Sequence, residues 1–172
     1  MFGQPANPQQ QSTTTQPGQG DAEAQFHLGL ILSNSPGERR DNARAAQCYL
    51  KAAELNHPLA QFNLGLMYAK GEGVARNDSE ARMWILKAAE QGDAGAQFNL
   101  ATRYHRSSVG GSETEAGESR IESYKWFQLA AAQGYKQAHD SCERVTLTMS
   151  FEEVAEGDQR VAAFSVTGDK KV

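Results

Sequence analysis

From Asp21 onward, apolar side chains recur three and four residues apart, the period of a helix rather than the alternation of a strand. In "HPLAQFNLGLMY", which starts at His57, Ala60, Leu64, Met67 and Tyr68 fall on one helical stripe, and Phe62 and Leu66 fall on another. A helix that is apolar on two sides needs cover on two sides. Nearly the same phrase is written 36 residues earlier, "DAEAQFHLGLIL", and 36 residues later, "DAGAQFNLATRY". A second phrase keeps the spacing: "LKAAELN" from Leu50 and "LKAAEQG" from Leu86 are 36 apart, while "QLAAAQG" from Gln128 lies 42 further on. The six additional residues fall in "RSSVGGSETEAGES", residues 106–119, whose Gly, Ser and Glu content predicts a lengthened surface loop.

Each unit therefore reads as helix, loop, helix. Pro58 suits a first helical turn, where its missing N–H costs nothing. "KGEGV" (Lys70 to Val74) breaks the first helix with two glycines. Asn77 with Glu80, and Ser119 with Glu122, have the spacing of a capping box at the start of the second helix. That helix presents Ala81, Trp84, Ala88 and Ala89 and ends at Gly92, a left-handed terminating position that Asn56 and Gly134 occupy in the other copies. Ala24, Ala60, Ala96, Ala52, Ala88 and Ala130 allow backbones to approach closely. No single unit can bury both its stripes, but stacked neighbours bury a continuous core. The predicted fold is an all-α right-handed superhelix. Its divisions are a leader (1–20), three units (21–56, 57–92, 93–134), a degenerate unit with a closing helix (135–165) and a tail (166–172).

The motif A-x-F-x-L-G-x-x-Y, the G-x-G-V loop, an Asn or Asp cap, A-x-x-W and K-A-A-E-x-G together resemble the Sel1-like repeat, a relative of the tetratricopeptide repeat. Residues 57–92 fit throughout. The first unit departs at Cys48, where the family places Trp, at Leu32, where it places Tyr, and at Glu38 in the loop. The third has Ala101 in the Gly slot and Ser123 in the small-residue slot. From Lys136 a degenerate copy follows with Ala138 in register, and "MSFEEVAEGDQRVAAF" resembles the helix that closes such arrays, capped by Ser150 with Glu153. The resemblance spans about residues 21–164 and implies a non-enzymatic adaptor or scaffold.

Composition changes the picture only at the edges. Residues 1–20, "MFGQPANPQQQSTTTQPGQG", hold no charged and almost no apolar side chain, so they offer nothing to a core and read as a disordered leader. A net charge of −4 and a pI near 5.6 leave no electrostatic footprint for nucleic acid. No stretch approaches the roughly 20 apolar residues of a membrane span, and the first residues lack the pattern of a secretory signal. Cys48 and Cys142 make neither a disulfide framework nor a metal site, and the expectation is a cytoplasmic protein.

Catalytic chemistry finds little support. His27, His57, His105 and His139 share no metal-ligand spacing and read as surface histidines. "GEG" at Gly71 lacks the third Gly and the Lys of a phosphate loop. Some cysteine-rich Sel1-like proteins bind penicillin-like compounds, but they carry a cysteine pair per repeat, so a penicillin-binding or hydrolase enzyme is the lesser alternative. A purely structural subunit is another. No cofactor or metal is expected.

A binding surface is easier to place. Three positions per first helix, at i, i+3 and i+7, flank the buried stripes: His27, Leu30 and Asn34; Asn63, Leu66 and Lys70; Asn99, Thr102 and Arg106; then Ser141, Arg144 and Thr148. Three of these twelve are basic and none is acidic, on a chain that is acidic overall. In tetratricopeptide arrays the first helices line a groove in which Asn and basic residues grip carboxylates. The resemblance thus implies a partner protein or extended peptide, acidic or C-terminal, held by His27, Asn63, Leu66, Lys70, Asn99, Thr102, Arg106 and Arg144.

Overall fold

A computed structural model of the chain describes residues 19–110 and 112–168. These form eight α-helices in order: α1 (Gln19–Asn34), α2 (Asn42–Glu54), α3 (Pro58–Lys70), α4 (Asp78–Glu90), α5 (Ala94–Ser107), α6 (Glu113–Ala132), α7 (Lys136–Thr146) and α8 (Phe151–Gly168). A short 3-10 turn, Gly37–Arg39, joins α1 to α2. Most of the leader expected over residues 1–20 lies outside the described residues, as does the end of the tail; helix already begins at Gln19 and runs on to Gly168.

Helices α1 and α2, α3 and α4, and α5 and α6 pair as hairpins, and each second helix packs on the first helix of the next unit. This is the α-solenoid that the period implied. Its small residues set the spacing between helices. A Cβ placed on Gly65 would lie 2.6 Å from Ile85 Cγ1, and one on Gly29 would lie 2.6 Å from the Tyr49 ring. In the third unit Ala101 fills that slot opposite Ser123, and both are fully buried. The Ser123 hydroxyl donates to the Ala101 carbonyl at 3.0 Å, so the extra methyl and the hydroxyl are accommodated together.

Polar side chains fix the register between units. Gln61 and Gln97, each 1% exposed, donate to the carbonyls of Ala53 and Ala89 in the preceding second helix, both at 3.1 Å. Each also accepts from a glutamine just beyond its own unit's second helix, Gln91 at 2.7 Å and Gln133 at 2.8 Å. The amides of Gln61 and Gln97 each bridge to another helix and to the residue after their own unit's second helix, which specifies stacking as well as stabilising it.

The chain leaves α2, α4 and α6 through left-handed residues as expected: Asn56 has φ 62°, Gly92 φ 94° and Gly134 φ 79°. Asp41, Asn77 and Asp93 cap α2, α4 and α5 through side-chain oxygens. The box at Asn77 is only half formed. Asn77 accepts from the N–H groups of Ser79 and Glu80, but the Glu80 carboxylate turns instead to the Trp84 indole N–H at 3.1 Å. Glu122 does the same for Trp126 at 3.0 Å. A buried indole needs an acceptor, and that demand outweighs the reciprocal cap.

The six-residue insertion is not a lengthened loop over 106–119. Ser112 and Glu115 form a complete capping box, and α6 runs for 20 residues from Glu113, against 13 in α4. Ser119 and Glu122 therefore sit inside a helix rather than at its start. The added turns are fastened to α8: Arg120 binds Glu153 at 2.7 Å and Glu113 at 2.8 Å, and Arg160 binds Glu118 at 2.6 Å and Glu122 at 2.8 Å. Helix α8, capped by Ser150 and Glu153 as expected, lies on α6, with Gly157 against the Tyr124 ring and Phe164 edge-on to Trp126. It closes the outer face of α6 instead of forming a fourth hairpin with α7.

Candidate functional site

The first-helix ladder is positioned by the stripes beside it. Leu64 and Met67 on α3, and Leu100 on α5, are buried between units, which turns the flanking positions outward. At the junction of the first two units, Asn34, Asn63, Leu66 and Lys70 line one cleft of about 310 Å³, together with Ser33, Arg40, Asn42, Tyr49, Met67 and Glu72. At the next junction, Asn99, Thr102 and Arg106 line a cleft of about 390 Å³ with Ala69, Arg76, Asp78, Phe98 and Arg103.

These two clefts are the same feature repeated. Adding 36 to Ser33, Arg40, Asn42, Asn63, Leu66, Met67 and Lys70 gives Ala69, Arg76, Asp78, Asn99, Thr102, Arg103 and Arg106. The structure thus brings together six of the eight ladder candidates in two equivalent clefts. The outer two lie elsewhere. His27 is exposed on α1 and bound to Glu23 at 2.9 Å, and Arg144 on α7 donates to Ser141 at 3.0 Å. Ser141 itself is buried, so the fourth rung does not present three side chains to solvent.

Internal partners modify the electrostatics. Lys70 lies 3.8 Å from Glu72, both well exposed. Arg76 meets Asp78 at 3.1 Å and holds its carboxyl below the usual carboxylate range. Asn99 Oδ1 accepts from Arg103 Nε at 3.1 Å, and the Thr102 hydroxyl donates to the Phe98 carbonyl at 2.9 Å. Asn99 is therefore braced along its own helix. Acids do enter both clefts, Glu72 from the loop after α3 and Asp78 from the first turn of α4, two positions outside the first-helix ladder.

Arg103 is the charged first-helix residue lining a cleft that the ladder omitted. It falls on the buried stripe, at the place where the second unit has Met67, and only the 36-residue register against Met67 marks it as a departure.

The histidines play local roles. His57 is not a lone surface residue. Its Nδ1 accepts from the Ala60 N–H as the cap of α3, its Nε2 meets Glu23 at 3.0 Å, and its ring stacks on Phe26 at 4.5 Å. Tyr135, in the same slot two units later, stacks on Phe98 at 4.8 Å. Cys48 and Cys142 are buried and free, and burial pushes the Cys142 thiol up to about 11, far from a nucleophile's range. Among the described residues no group of three His, Cys, Asp or Glu side chains is placed to hold a metal ion. None of the described helices is long and apolar enough to cross a membrane.

Comparisons agree with this architecture. A solved protective antigen of uropathogenic Escherichia coli, displaying an SLR fold, superposes with a TM-score of 0.70 at 25% identity, over 85% of this chain and 30% of that one. A Sel1 repeat protein from Oxalobacter formigenes superposes with a TM-score of 0.63 at 29% identity, over 90% of this chain and 61% of that one. The chain thus spans less than two thirds of either protein. Comparison with curated protein sequences returns no match. The Sel1 repeat model matches residues 22–57, 58–93 and 94–135, each one residue later than the divisions drawn from the sequence. With three consecutive units matched over most of its length, the chain belongs to the Sel1 repeat family.

Proposed function

We propose that this chain is a non-enzymatic interaction module that holds an extended segment of a partner protein along its first helices, with scaffolding as its role. Sel1 repeat proteins generally serve as protein-interaction modules. The observation that carries the finer reading is the recurrence of one cleft at successive junctions, each with an Asn and a cation on its first helix: Asn63 with Lys70, then Asn99 with Arg106. A repeated cleft suits an extended chain whose side chains recur along the array. Amide donors and cations favour acidic side chains or a terminal carboxylate on it. Cys48 and Cys142, both buried and unpaired, suit a reducing compartment such as the cytoplasm.

The test is charge reversal, Lys70→Glu with Arg106→Glu, in the full chain. Both side chains are exposed at helix ends, so helical circular dichroism should stay unchanged. Capture of the native partner by the intact protein should be lost, and wild-type capture should weaken as salt rises. A double variant that keeps its partner at wild-type affinity would refute the first-helix reading.

A further inference from the structure

Behind the second cleft, on the side of the second helices, lies a third cleft of about 350 Å³ with a different composition. Arg82 from α4, Arg103 and Arg106 from α5 and Ser119 from α6 line it, with Tyr104 and Ser107. Three arginines border one small volume. None of them has a carboxylate within ion-pair distance among the described residues; Arg103 donates only to the Asn99 amide oxygen. The nearest acids are already engaged, Asp78 by Arg76, Glu118 by Arg160, and Glu122 by Arg160 and Lys125.

The repeat itself shows that stacking does not require these arginines. One unit earlier, Ala46 stands in register with Arg82 and Met67 with Arg103, and both are buried core residues. The second and third units thus place Arg82 and Arg103 where the preceding copy of the scaffold is satisfied by apolar side chains. Neighbouring like charges cost free energy unless an anion offsets them. Ser119 of α6, in register with the cap residue Asn77, reaches the same cleft.

We propose that this cleft binds a phosphate monoester carried on a peptide side chain. Three planar guanidinium forks match a dianion with three terminal oxygens better than a single carboxylate, which one fork satisfies. The hydroxyls of Tyr104 and Ser119 supply further donors. The volume fits a phosphoryl group with its bearing side chain rather than a helix. The site shares Arg103 and Arg106 with the second first-helix cleft, but Arg82 and Ser119 belong to second helices, and the probe needs neither Asn63 nor Lys70.

The experiment is calorimetric titration of the full chain with N-acetyl-O-phosphoserine N-methylamide, with inorganic phosphate and with the N-acetylglutamate N-methylamide. The phosphoserine amide should bind, and the glutamate amide should bind about tenfold more weakly or worse. Arg82→Gln with Arg103→Gln should weaken phosphoserine binding by about tenfold or more, whereas Arg39→Gln with Lys51→Gln, which removes the same charge elsewhere, should not. Arg82→Gln alone, at an exposed side chain, keeps the test valid should the double variant lose helical content. No binding of the phosphoserine amide, equal affinity for the glutamate amide, or equal losses in the two double variants would each overturn the proposal. Inorganic phosphate bound as tightly as the phosphoserine amide would overturn the peptide-borne source.

Discussion

At the residue scale, the strongest constraints are steric and local. Gly71 and Gly73 both adopt positive φ, at 74° and 73°, in the loop that ends α3. A Cβ on Gly71 meets only ordinary contacts, the nearest 3.4 Å away, whereas one on Gly73 would collide with the backbone carbonyl of Asn42. Gly71→Ala should therefore cost only the left-handed strain, about 1–2 kcal/mol. Gly73→Ala must also displace α2 and should cost distinctly more; equal denaturation midpoints for the two variants would contradict the close approach. Trp84 is buried, with its indole N–H held by Glu80 and Lys87 lying 4.4 Å over its ring. Trp84→Ala should cost roughly 3–5 kcal/mol by leaving a cavity. Glu113 is almost fully exposed although it meets Arg120, so Glu113→Ala should cost less than about 1 kcal/mol. Similar small effects at both sites in urea melts would speak against the stacked core.

At the element scale, α8 is the part held most by charge. Arg120 keeps Glu153, and Arg160 keeps Glu118, below the ordinary carboxylate range through direct hydrogen bonds. Because both folded-state values are depressed, the stabilisation is complete above the unfolded carboxylate value near ~4.3. It is lost as pH falls through the folded values. Helix α8 should accordingly lose amide protection below about pH 4 before α4 does, since α4 is packed between neighbours on both sides. Hydrogen-exchange protection factors by NMR at neutral pH and at about pH 3 measure this directly. Unchanged protection of α8 would mean that the contacts of Tyr124 and Trp126, not the ion pairs, hold it.

At the scale of the whole molecule, the stack leaves its first face open. Ala24, Leu28 and Ile31 on α1 stand in register with Ala60, Leu64 and Met67, which are buried by the preceding second helix. Leu28 is 39% exposed and Ile31 64% exposed, because α1 has no such helix before it among the described residues. The leader's composition gives it almost no apolar side chains with which to cover that face. Removing residues 1–18 should thus leave the melting temperature and the helical signal per folded residue unchanged. A substantial fall in either would show that the leader packs on α1.

The sequence by itself determined the repeat, the helix pairing and the points where α2, α4 and α6 end. A 36-residue period of apolar stripes has few ways to bury itself, and terminating residues such as Asn56, Gly92 and Gly134 act through their own backbone. It also marked six residues that the structure gathers into two clefts, because repeat register carries a surface position from one unit to the next. Only the tertiary structure decided what depends on partners distant in the chain. The stretch at 106–119 reads as a loop in the sequence, but a capping box at Ser112 starts a helix there, and Arg160 of α8 holds Glu118. Glu80 looked like a cap partner until the buried indole of Trp84 claimed it. Arg103 stands in register with the buried Met67, and the fold makes it a cation lining two clefts. Local propensity specifies where helices can form, but which side chain satisfies a buried or charged group is settled by what packing brings within reach.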